Sequence, residues 1–184
     1  MGLHVIALSG SLRAASVNTA LLRTAAVLAP PGIVVTVYDE VGALPHFNPD
    51  QESLPLPVVA RWQTLLRGCD AILIACPEYA HGVPGSLKNA LDWVVGTTGL
   101  EGKPVALLNS SPRASHAQAA LADIVTTMGW SVLEEACVRI PCARKDIDPA
   151  TLIDMPECTV PLRAALLALA KAAQHHVAGC FPPS

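Results

Sequence analysis

The sequence is short of charge and shorter still of aromatic side chains: 15% of its 184 residues are charged and 4% are aromatic. Formal net charge is -3 with no long basic run, so a nucleic-acid groove has no electrostatic support. No uninterrupted apolar stretch reaches the ~18–20 residues that a membrane-spanning helix needs. The opening Met1-Gly2-Leu3-His4 lacks the basic segment of a secretory signal and leads straight into a strand-like run. The six cysteines form no C-x-x-C pair. They imply free thiols in a reducing cytoplasm and no disulfide framework. The spacing of Cys137, Cys142 and Cys158 fits no zinc pattern, so no metal is expected. No serine stands in G-x-S-x-G, and no catalytic triad is visible.

Apolar side chains are plentiful, at 52% of the chain. That is enough to bury a sizeable core, and it excludes disorder. The length suits one α/β domain spanning residues 1–184. Sixteen prolines and twelve glycines are spread along the chain as punctuation between elements.

Apolar runs at residues 3–9, 33–38, 71–76 and 104–109, with a weaker one at 132–140, read as strands. Three of them (VIAL, AILIAC, VALL) do not alternate, as expected for strands buried on both faces. Between them lie helical stripes. Val17, Ala20, Leu21, Thr24, Ala25 and Leu28 form one, and Val58, Trp62, Leu65 and Leu66 a second. Others start at Leu87 and at Ala117, and the last spans about residues 160–177. Strand–helix alternation repeated five times predicts a parallel sheet with helices on both sides. Ligands of such sheets bind beyond the carboxyl ends of the strands, which points to the segments after the first and third strands. The connection over residues 39–57 carries four prolines and cannot be helical throughout.

The first strand runs into Ser9-Gly10-Ser11-Leu12-Arg13-Ala14-Ala15-Ser16-Val17-Asn18. Serine hydroxyls, the Asn18 amide, the Arg13 guanidinium and free N–H groups at a helix N-terminus together suit a phosphate. The segment is neither G-x-x-x-x-G-K-[ST] nor G-x-G-x-x-G. Its plainer reading is a helix cap, Ser16 or Asn18, after a polar loop.

The third strand ends in Pro77-Glu78-Tyr79-Ala80-His81-Gly82-Val83-Pro84-Gly85-Ser86-Leu87-Lys88-Asn89-Ala90-Leu91-Asp92-Trp93. The run P-E-Y-x-x-x-x-P-G-x-L-K-N-A-x-D-W resembles the NADPH-dependent FMN reductases, a flavodoxin-like group with quinone, azo-dye and chromate reductases among its relatives. G-S-L-R-x-x-S-x-N in the first loop resembles the FMN phosphate site of that family, and residues 44–50 resemble its loop after the second strand. The resemblance covers roughly residues 3–175. It implies a three-layer sandwich around a five-stranded parallel sheet of order 2-1-3-4-5.

By the same resemblance, Ser11, Arg13, Ser16, Val17 and Asn18 would hold the FMN phosphate. Pro77, Glu78, Tyr79 and His81 would lie along the flavin ring, with N–H groups of residues 79–81 bonding its edge, and Ser110 would add a further contact. The implied activity is an oxidoreductase that moves hydride from NADPH to bound FMN. The acceptor would be a quinone, azo compound, metal oxyanion or free flavin. No side chain of the protein is expected to act as acid, base or nucleophile, since the flavin carries the chemistry. A homodimer or homotetramer with the flavin near the subunit interface is also implied. Ala80 departs from the asparagine common after P-E-Y in relatives, and the loop 110–116 departs from their glycine-rich one. Two alternatives stand beside the reductase: a flavodoxin-type electron carrier, and a flavin-free structural or regulatory relative. The small net charge disfavours the carrier, because such carriers are usually strongly acidic.

Overall fold

The apolar runs become strands because helices cover both of their faces. The computed structural model describes residues 2–142 and 147–180. Strands β1 (Leu3–Ser9), β2 (Ile33–Tyr38), β3 (Ala71–Ala75) and β4 (Pro104–Asn109) match the expected runs closely. Every residue of β3 and β4 is buried, while β2, on the sheet edge, alternates. All pairings are parallel, in the order β2-β1-β3-β4 followed by a fifth position.

Helices α1 (Val17–Leu28), α2 (Pro57–Gly68), α3 (Gly85–Asp92) and α4 (His116–Thr127) follow those strands in turn, and α5 (Pro149–Ile153) and α6 (Pro156–Cys180) close the described chain. Alternate side chains of each strand feed two cores. Ile6, Leu8, Ile72, Ile74 and Leu107 pack with Trp62, Leu66, Leu87, Leu91 and Leu121 of α2, α3 and α4. Val5, Ala7, Leu73 and Leu108 pack with Leu21, Leu22, Leu152, Leu162, Leu166 and Leu169 of α1, α5 and α6. This is the flavodoxin-like three-layer sandwich that the sequence predicts.

Three details differ from expectation. The weak run at 132–140 is two short strands, β5 (Ser131–Val132) and β6 (Val138–Arg139), joined by a 3₁₀ turn at Glu134–Ala136. Val105 pairs with Val132 and Leu108 with Val138, so the edge segment uses more chain than its partner and bulges. The Cys137 sulfur covers the gap by accepting the Leu107 N–H at 3.3 Å. The last helix begins at Pro156 and includes Pro161, and α5 precedes it. The Asp148 carboxylate caps α5 by accepting the Thr151 N–H at 2.7 Å.

The long connection over residues 39–57 is ordered by two 3₁₀ turns, Val41–Ala43 and Pro49–Gln51. Side chains of α3 and its C-cap hold it. Asn89 accepts the Phe47 N–H at 2.7 Å and donates to the Pro45 carbonyl at 2.9 Å. The Trp93 indole N–H donates to the same carbonyl at 2.7 Å, and its ring meets Phe47 edge-on. Trp93 is therefore buried within its own chain. Lys88 and Asp92 form the expected i, i+4 pair at 2.5 Å.

Candidate functional site

Strand register brings three loops together. Ser9 at the end of β1 lies beside Ala75 at the end of β3, and Ala75 lies beside Leu108 near the end of β4. The segments leaving these strands meet at the carboxyl edge of the sheet, where the order of strands reverses.

The first loop is fixed from inside. The Thr19 hydroxyl donates to Ser9 Oγ at 2.8 Å, and Ser9 Oγ exchanges bonds with the Ser11 backbone at 3.2 Å. Ser16 is the N-cap of α1, accepting the Thr19 N–H at 3.4 Å. The capping reading of this loop is thus correct, and it does not compete with anion binding. A hydroxyl that accepts through a lone pair keeps its proton to donate. Ser110 Oγ bonds Asn18 Oδ1 at 3.0 Å, which leaves the Asn18 amide hydrogens free. Ser11, Ser16, Asn18 and Ser110 are all buried as residues, with no charge among them, and Arg13 stands exposed beside them. Gly10 is needed where the first and third loops touch: a Cβ there would lie 3.0 Å from Pro77 Cδ and 3.2 Å from a Leu87 methyl.

The third loop makes a tight reverse turn. Tyr79 and Gly82 exchange backbone bonds at 3.1 and 3.0 Å, and Ala80 and His81 between them have φ of +49° and +60°. The Tyr79 N–H is therefore engaged inside the turn. Of the three N–H donors expected for a ring edge, those of Ala80 and His81 remain. The Tyr79 hydroxyl lies 3.3 Å from Ser11 Oγ, joining the third loop to the first. Glu78 turns the other way, and its Oε2 accepts the N–H groups of Ser115 and Ala117, both at 3.0 Å. These backbone bonds, that of Ala117 foremost, hold its carboxyl below the usual carboxylate range. Burial, and secondarily the Glu78 charge, pushes the Cys76 thiol up to about 12, so it stays protonated and unreactive at neutral pH.

A cleft of about 810 Å³ opens between the loops. Its walls include Ser11, Arg13, Ser16, Val17, Asn18, Pro77, Glu78, Tyr79 and Ser110, so nine of the ten residues expected from the sequence face one space. The tenth, His81, does not line it; its ring stacks on His116 with centroids 4.5 Å apart. Ser111, Pro112, Arg113 and Cys142 complete the wall and were not assigned to the flavin site from the sequence. Three of these lie in the loop 110–116, which the sequence showed as a departure from the relatives' glycine-rich one. Cys142 carries no local signal, because the strand β6 turn brings it in from far along the chain.

A parallel sheet with a donor-rich turn, free of acidic side chains, at its switch point is a flavodoxin-like arrangement. Residues 3–144 match the family model described as NADPH-dependent FMN reductase, and the chain belongs to that family. An NAD(P)H-dependent FMN reductase of Pseudomonas aeruginosa is 39% identical over 112 residues, covering 59% of this chain and 60% of the relative. A quinone reductase of Escherichia coli is 37% identical over 114 residues, covering 59% of this chain and 60% of the relative. The matches thus span about 60% of these relatives' lengths. Among solved structures, a flavoenzyme NAD(P)H:(acceptor) oxidoreductase of Paracoccus denitrificans superposes with a TM-score of 0.75 at 27% identity, covering 95% of this chain and 98% of that one. Among the described residues no helix is long and apolar enough to cross a membrane.

Proposed function

We propose that the protein is an NAD(P)H-dependent FMN oxidoreductase, acting as one FMN-binding domain, that passes reducing equivalents to a quinone, azo compound, metal oxyanion or free flavin. One observation carries the reading: hydroxyl, amide and guanidinium donors of Ser11, Arg13, Ser16 and Asn18 line the same cleft as the Pro-Glu-Tyr loop, with the Ser110 hydroxyl orienting the Asn18 amide. The donor set fits FMN. Its phosphate needs several hydrogen-bond donors and a cation without an opposing carboxylate, and the carboxylate in the cleft wall, Glu78, is already bonded to two backbone N–H groups.

FMN, when bound, supplies the two-electron chemistry between NADPH and the acceptor. The protein's part is to bind and orient. Ser11 and Ser16 donate to phosphate oxygens, and Arg13 neutralises their charge. The N–H groups of Ala80 and His81 favour negative charge at the ring edge without a titrating side chain. Tyr79, half exposed, joins the first and third loops through its hydroxyl contact with Ser11. The relatives' names support NAD(P)H as donor and a flavin or quinone as acceptor. The free thiols of the described cysteines suit a reducing cytoplasm. A homodimer or homotetramer is part of the same reading, and sedimentation of the purified protein tests it.

The test of the activity is anaerobic. Protein loaded with FMN is expected to lose its yellow absorbance on one equivalent of NADPH and regain it on adding a quinone. Persistent colour with both NADPH and NADH would instead favour an electron carrier.

A further inference from the structure

We propose that Glu78 is a positioning residue, a latch that ties the ring-binding loop to the start of α4 and so sets where the flavin ring rests. The inference rests on the functional reading above and goes beyond it by giving the Glu78 side chain a task of its own.

Helix α4 begins without a cap of its own: Ser115 occupies the N-cap position, yet its side chain makes no capping bond. Glu78, far away in sequence, does the capping through space. A single oxygen, Oε2, accepts the N–H groups of Ser115 and Ala117. A carboxylate there also meets the positive end of the helix dipole. The next residues on the loop reinforce the joint, because the His81 ring stacks on the His116 ring, 18° from parallel. The latch reaches from one wall of the cleft to the other. Residues 77–79 form one side, and residues 110–113 lead into α4 on the other.

The far wall is itself braced. Asn109 donates to the Ala114 carbonyl at 2.8 Å and accepts the Ser111 N–H at 2.9 Å, and Arg139 donates to the Ala114 carbonyl at 3.3 Å. Glu78 therefore grips a rigid post. The turn that it precedes, with two left-handed residues, has no other tie to α4 among the described residues than the histidine stack. Without the carboxylate, the N–H groups of Ser115 and Ala117 lose their partner and the turn loses its reference point.

Geometry and charge can be separated, because one carbonyl oxygen suffices for both bonds. Glu78→Gln keeps that oxygen and removes the charge, whereas Glu78→Ala removes both. Three readouts apply: FMN affinity of the apo-protein by fluorescence titration, the ratio of reduced-FMN to oxidised-FMN affinity, and hydrogen exchange at Ser115 and Ala117 in the apo-protein. Glu78→Ala is expected to weaken FMN binding by about tenfold and to deprotect both amides. Glu78→Gln is expected to stay within roughly threefold of wild type in FMN affinity and to keep the amides protected. It should also raise the ratio of reduced to oxidised affinity roughly two- to fivefold, since the helix end is no longer neutralised. Wild-type affinity in Glu78→Ala overturns the latch. So does a loss in Glu78→Gln as large as in Glu78→Ala, or an unchanged affinity ratio in Glu78→Gln. If Glu78→Ala does not fold, Glu78→Gln decides alone. Wild-type protein that binds no FMN overturns the functional reading, a result distinct from all of these.

Discussion

Ala80 and His81 hold φ of +49° and +60° in a turn whose reciprocal backbone bonds leave no room for adjustment. For a residue with a Cβ, the left-handed region costs roughly 1–2 kcal/mol, and glycine or asparagine escapes most of that. Ala80→Gly is therefore expected to raise stability by about 0.5–1 kcal/mol, net of the entropy that glycine loses on folding. Urea denaturation of the apo-protein checks this, and an unchanged midpoint would argue against strain at Ala80. At Glu78 the expected effect is on pH dependence. Its folded carboxyl lies below the usual range because backbone N–H groups bind the charged form. Its contribution to stability is therefore present above the unfolded carboxyl's pKa of about 4.3 and is lost as pH falls through the lower folded value. Glu78→Gln carries no such titration. The stability difference between wild type and Glu78→Gln should be constant at neutral pH and shrink on acidification. A difference independent of pH would contradict the assigned bonds.

Elements in this chain are legible where burial is symmetric and local, and illegible where a distant partner decides. The runs that form β1, β3 and β4 show in sequence because both faces are apolar. The edge does not, because β5 and β6 are two residues each and the break between them is stabilised by the Cys137 sulfur. The short α5 had a signal, an aspartate followed by proline at the first helical position, which hydrophobic periodicity alone passes over. The turn proposed to bind the phosphate was readable because its donors are contiguous. The Glu78 tie to α4 and the Asn89 tie to the long connection were not, since each links segments about forty residues apart. Lys103 is another tie of that kind. It is buried just before β4, and its ammonium donates to the carbonyls of Cys69 and Arg67 at the C-terminal end of α2. Lys103→Met leaves those carbonyls without their donor and is expected to cost about 1–3 kcal/mol. Chemical denaturation measures it, and a variant as stable as wild type would show that the helix end finds water instead.

Across the whole molecule, the parallel register is what makes a site from three separate loops. Each strand ends at the same edge, so side chains spread over a hundred residues face one cleft. Family membership agrees with that arrangement, and the superposition on a flavoenzyme of 27% identity covers 95% of this chain with the same fold. The cofactor's phosphate is the anchor in this account, with the ring loop set against it through the Tyr79–Ser11 contact and the Glu78 latch. The most direct measurement is a paired titration of the apo-protein with FMN and with riboflavin, which lacks the phosphate. FMN is expected to bind at least about a hundredfold more tightly, the worth of one or two charge-assisted bonds, and Ser16→Asp is expected to abolish that advantage by placing like charge at the phosphate. Equal affinities for the two flavins, or a Ser16→Asp variant that still prefers FMN, would contradict the account.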